Sequence, residues 1–190
     1  MPLTVNDFLA RAELVYGDRV AIVDEPDQPA ESWGTLTWRD VAARARAQAA
    51  GLDRLGVGEG ERVAVVSHNS ARLLTSFFGV SGSGRVLVPI NFRLAAAEIE
   101  YIVEHCGASV LLVDPELEDH LGSVTAPHRY TIGEVSDPIL YDFAPDPVPW
   151  ANPDERATAT INYTSGTTAR PTRVRGPWRA LPRGWRGTHA

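Results

Sequence analysis

The chain has 190 residues, enough for one domain or for a domain and a tail. Its 44% hydrophobic content is that of a globular protein, and a net charge of -6 disfavours a general nucleic-acid binder. One cysteine, Cys106, excludes an internal disulfide, and Met1 to Val20 holds no apolar run long enough for a signal peptide or membrane span, so a reducing cytoplasm is the expected compartment.

Val5 to Tyr16 carries apolar residues at Val5, Phe8, Leu9, Ala12 and Val15, the spacing of an amphipathic helix, with Thr4 or Asn6 as its N-cap. Val20 to Val23 reads as a short strand, and Pro26 and Pro29 bracket a turn. Thr37 is placed to cap a helix running to about Leu55, whose Val41, Ala45, Ala49, Leu52 and Leu55 share one face; Gly56 and Gly58 end it. The pattern then alternates. Arg62 to Ser67, Val86 to Ile90 and Ser109 to Val113 are apolar, β-branched strands, with helices over Ser70 to Ser81 and Ala95 to His105 between them. Strands apolar on both faces belong to a parallel sheet covered by helices on each side. Arg129 to Ile132 and Ile139 to Tyr141 read as shorter strands. Pro145, Pro147, Pro149 and Pro153 make Asp142 to Asp154 a stiff connector, and Thr158 to Tyr163 is the last strand. The fold class is therefore α/β: a doubly wound, mostly parallel sheet flanked by helices.

Directly after that last strand comes Thr164-Ser165-Gly166-Thr167-Thr168, ahead of Pro171. Hydroxyls and backbone N–H groups donate charge-assisted hydrogen bonds to phosphate oxygens, and a glycine lets the backbone approach closely. A Ser/Thr/Gly run alone is usually only a polar loop; the strand before it points to phosphate binding. It is not a Walker A loop, because no Gly-Lys-Ser/Thr follows. His68, His105, His120 and His128 are scattered and show no metal-ligand spacing. Asn69 and Asn91 read as turn or capping residues, Trp33 and Trp38 as packing residues, and Cys106 as a buried structural thiol. No catalytic residue and no metal ligand is assigned.

The run Tyr163 to Thr168 with Pro171 and Val174 resembles the phosphate loop of the adenylate-forming acyl-CoA synthetases, the AMP-binding superfamily. Leu36-Thr37-Trp38-Arg39-Asp40, Leu55 to Ala64, His68-Asn69-Ser70 and Val88 to Leu94 match further stretches of that family in order. The fatty-acid–CoA ligases are its most similar branch. The resemblance implies the N-terminal subdomain of the adenylate-forming enzyme fold over residues 1–171. It implies an acid–thiol ligase in which a fatty or other carboxylic acid attacks the α-phosphate of ATP, after which coenzyme A displaces AMP. It further implies that Thr164, Ser165, Gly166, Thr167 and Thr168 contact the β- and γ-phosphates, with Mg²⁺ nearby.

The resemblance weakens after Pro171. Thr172 stands where the family has lysine and Arg173 where it has glycine, and the family is expected to continue into a helix that Pro177 and Pro182 forbid. All 18 basic residues of the chain are arginine, and six of them lie from Arg170 onward, where no acid remains. Residues 172–190 are thus expected to be an irregular basic tail outside the family pattern. Their Arg/Pro/Gly/Trp mixture is that of out-of-frame translation of a GC-rich gene; the competing reading is a basic arm for an acidic partner. The adenine pocket, acyl tunnel and C-terminal lysine that the resemblance implies for a whole ligase have no counterpart before residue 172. The chain alone is therefore expected to be inactive, the alternative being a non-catalytic binding module that keeps only the sheet.

Overall fold

The structure is a computed structural model that describes residues 4–141, 156–164 and 172–177. Helix α1 (Val5–Tyr16) starts from Thr4, not Asn6: the Asp7 carboxylate accepts hydrogen bonds from the Thr4 backbone N–H at 2.6 Å and the Thr4 hydroxyl at 2.9 Å. Asn6 is instead buried, donating across the molecule to the Gly82 carbonyl oxygen at 2.5 Å. Strands β1 (Val20–Val23) and β2 (Thr35–Thr37) form a small antiparallel ribbon. Thr37 then caps α2 (Trp38–Arg54) in a reciprocal box: its Oγ1 accepts from the Asp40 N–H at 3.2 Å while Asp40 accepts from the Thr37 N–H at 2.8 Å. Gly56, at φ 74°, follows that helix in a left-handed conformation that a side chain would strain.

The main sheet contains β3 (Arg62–Val66), β4 (Val86–Ile90), β5 (Ala108–Val113), β6 (His128–Thr131), β7 (Thr158–Thr164) and β8 (Thr172–Pro177), in the order β6-β5-β3-β4-β7-β8. The first five are parallel and β8 runs antiparallel to β7. Between them lie α3 (Ala71–Gly79), α4 (Ala96–Cys106) and α5 (Asp137–Leu140). The strands bury both faces. Ala64, Val66, Val88, Leu111, Val113 and Ile161 pack with Ile99, Ile102 and Cys106 of α4. The alternate residues Val63, Val65, Leu87, Val110 and Leu112 pack with Leu52, Val80 and Leu140 on the other side. This two-sided burial is why the strands read as continuous apolar runs.

Two expectations change. Ile139 to Tyr141 is not a strand: Ile139 and Leu140 end the short helix α5 and Tyr141 follows as its C-cap, because Pro138 presets a helical φ in the first turn and Leu140 and Tyr141 both reach the core. Residues 172–177, read as the start of an irregular tail where a helix would be forbidden, form strand β8. The register Thr164↔Thr172, Asn162↔Val174, Thr160↔Gly176 shows the reason: β7 offers a free edge, and an extended segment satisfies its own backbone groups by pairing there. The connector 142–155 and residues 178–190 lie outside the described residues. Among the described residues no helix is long and apolar enough to cross a membrane.

Candidate functional site

In an open α/β sheet the ligand-binding crevice lies beyond the carboxyl ends of the strands, where neighbouring connections depart in opposite directions. Here the chain leaves β3 through α3 to reach β4 on one side, while β5 leads to β6 on the other. At this edge β3 delivers Ser67 and His68, β4 delivers Asn91 and Phe92, and β5 delivers Asp114 and Glu116. His68 ties the three together. Its Nε2 lies 2.8 Å from Glu116 Oε2, and its ring packs on Phe92 with centroids 4.0 Å apart. Asn91 makes the expected turn, its Oδ1 accepting from the Arg93 N–H at 3.0 Å.

Strand β7 brings Thr164, the first residue of the predicted phosphate run, to the same edge. It pairs with β4 through Leu87↔Thr160, and the Ser81 hydroxyl donates to the Ala159 carbonyl at 2.8 Å. Thr164 is the last residue of β7 and registers with Thr172 of β8, so the two ends of the hydroxyl-rich segment are held side by side. Ser165, Gly166, Thr167 and Thr168 lie outside the described residues. One residue before the run, the Tyr163 hydroxyl lies 2.8 Å from His105 Nδ1, and burial pushes its pKa up to about 12. Cys106 is buried and its thiol is held above its ordinary pKa by desolvation, which fits a structural residue and not a nucleophile.

Sequence reasoning did not bring His68, Asp114 and Glu116 together. The pair His68 and Glu116 is 48 positions apart and meets only through the parallel pairing of β3 with β5. The one available signal was that Asp114 directly follows an apolar strand in an α/β pattern.

Residues 9–175 match the family of AMP-binding enzymes. This chain belongs to that family. The chain is 37% identical to a long-chain-fatty-acid–CoA ligase of Thermus thermophilus, over 94% of its own length and 34% of the relative's. It is 30% identical to 4-hydroxybutyrate–CoA ligase 2 of Metallosphaera sedula, over 89% of its length and 33% of the relative's. Among solved structures it superposes on the anthranilate CoA ligase AuaEII, in complex with anthranoyl-AMP, with a TM-score of 0.82 at 28% identity, covering 93% of this chain and 34% of that one. The chain thus spans about a third of the length of the curated relatives it matches.

Proposed function

We propose that this chain is the part of an AMP-forming acid–thiol ligase that holds the triphosphate of ATP. In the reaction a carboxylate displaces pyrophosphate from the α-phosphorus, and the thiol of coenzyme A then displaces AMP from the acyl-adenylate. The observation that carries this reading is the attachment of the hydroxyl-rich run to the carboxyl end of β7, in a chain whose family match runs through it to residue 175. The names of the relatives, acid–CoA ligases with fatty-acid, hydroxybutyrate and anthranilate substrates, support the reaction class.

Thr164, Ser165, Gly166, Thr167 and Thr168 would donate hydroxyl and backbone N–H groups to the β- and γ-phosphate oxygens. Their donor set suits an anion, since residues 164–171 contain no acid. Bound Mg²⁺ would supply neutralisation of the phosphate charge. Pairing of Thr164 with Thr172 fixes both ends of the segment, which lowers the ordering cost of closing it on a nucleotide.

Alone, the 190-residue chain has few contacts to offer. Hydrogen bonds to a charged group contribute about 1.5–3 kcal/mol each, and they must offset an association cost of about 4–15 kcal/mol. The 190-residue chain should therefore bind ATP with a Kd of about 1 mM or weaker and show no acid-dependent exchange between pyrophosphate and ATP. Calorimetric detection of micromolar ATP binding would contradict this. The ligase reading itself is tested by a chimera in which residues 1–171 replace the matching segment of the Thermus thermophilus ligase. Fatty-acid-dependent pyrophosphate exchange by that chimera is expected; a folded chimera with none would sink the reading.

A further inference from the structure

We propose that His68, Asp114 and Glu116 form a site for a first-row divalent cation of the zinc type, in the crevice between the carboxyl ends of β3 and β5. One nitrogen of His68 and one carboxylate oxygen of each acid lie within 4.8 Å of one another. Around a metal with bonds of about 2.1 Å, neighbouring ligand atoms sit about 3–3.5 Å apart. Small rotations of the two outer side chains close that difference. Both have room to make them: His68 is 33% exposed and Glu116 60%.

Asp114 supplies an independent reason. It is 3% exposed, and a buried carboxylate needs compensation. Its Oδ1 accepts only a 3.2 Å bond from the Glu116 N–H. Among the described residues its Oδ2 has a single hydrogen-bond partner, the Ser67 hydroxyl at 3.4 Å. A serine hydroxyl has one proton to give, and this one already goes to the His68 carbonyl oxygen at 2.8 Å. Among the described residues Asp114 Oδ2 therefore has no committed donor. The contrast is Asp24, equally buried, whose oxygens accept from the Ala71 N–H, the Trp33 N–H and the Gln28 side chain at 2.7 to 2.9 Å. Asp24 is a satisfied structural carboxylate; Asp114 is a half-satisfied one at the mouth of the crevice.

The ligand set selects the cation class. One imidazole with two carboxylates suits zinc or a neighbouring transition ion; Mg²⁺ and Ca²⁺ prefer oxygen alone. The His68 ring is oriented by its packing on Phe92, the kind of support that ligating imidazoles receive. The site shares no residue with the phosphate run and does not depend on the ligase reading.

The test is titration of the untagged 190-residue chain with Co²⁺, followed by Zn²⁺ competition. One equivalent of Co²⁺ should produce a visible ligand-field band that Zn²⁺ abolishes. His68→Gln, Glu116→Gln and Asp114→Asn should each weaken binding by about tenfold or more. Circular dichroism of the two exposed variants, His68→Gln and Glu116→Gln, should match that of the parent chain, so their loss of metal reports on the site. Absence of a stoichiometric band, or a band that the His68 and Glu116 variants leave unchanged, would overturn the proposal.

Discussion

Asp137 joins three segments that are far apart in sequence. Its carboxylate accepts from Arg72 Nε at 2.9 Å and Nη2 at 2.5 Å, and from the Trp33 indole N–H at 3.1 Å. Arg72 is 4% exposed, and its guanidinium and that of Arg44 lie over the Trp33 ring at 4.5 and 4.1 Å. Asp137→Ala would leave the Arg72 charge buried without its partner, and we expect a loss of about 3–5 kcal/mol in urea denaturation. Two carboxylates contribute to the acid limb of stability alongside Asp40, which its hydrogen bonds from Thr37 hold low. The Arg46 side chain holds Glu13 below the ordinary carboxylate range, and the Ser109 hydroxyl and Gly58 N–H do the same for Glu61. Both folded values lie under the unfolded ones, so this stabilisation is present above the unfolded value and is lost as pH falls through the lower folded value. Urea midpoints should fall across that acid range, and the fall should be shallower in Glu13→Gln. Local residue roles were legible where they are set by the neighbouring chain, as with Thr37 as a helix cap; its reciprocal partner Asp40 emerged from the structure. Trp33 was legible only as a packing residue; that two arginines and Asp137 surround it depends on the folded chain.

At the scale of elements, the long periodic segments were readable, and of the short ones β1 and β6 were read as strands while Ile139 to Tyr141 was misread. The helices capped by Thr37 and Ser70 and the apolar strands β3, β4 and β5 follow their sequence patterns within a residue or two at their ends. Ile139-Leu140-Tyr141 is an apolar run short enough to suit a strand or a helix, and only its packing decides. Strand β8 lacks an apolar alternation, so its identity comes from its partner β7. The packing of α5 on α2 supplies a test. A β-carbon on Gly51 would lie 2.7 Å from the Ile139 carbonyl oxygen and 2.9 Å from the Leu140 Cα, both backbone atoms that cannot rotate away. Gly51→Ala should therefore destabilise the chain by about 1–3 kcal/mol despite its better helix propensity, measurable as a lowered urea midpoint.

For the whole molecule, the order of strands is what turns a polar run into a candidate site. The sequence shows hydroxyls after a strand; the sheet places that strand beside β4, with its carboxyl end at the same edge as those of β3, β4 and β5. The family was legible because several motifs occur in order along the chain, and the match over residues 9–175 agrees. What was not legible is anything built by pairing between distant strands, the His68, Asp114 and Glu116 cluster above all. The central claim is that the run after β7 grips the triphosphate. The most direct measurement is pyrophosphate exchange by the chimera with the Thermus thermophilus ligase, with and without Ser165→Ala and Thr167→Ala together. Losing two donors to phosphate should cut exchange by about 10²-fold or more at an unchanged melting temperature. Exchange that stays within about twofold of the unsubstituted chimera would contradict the account.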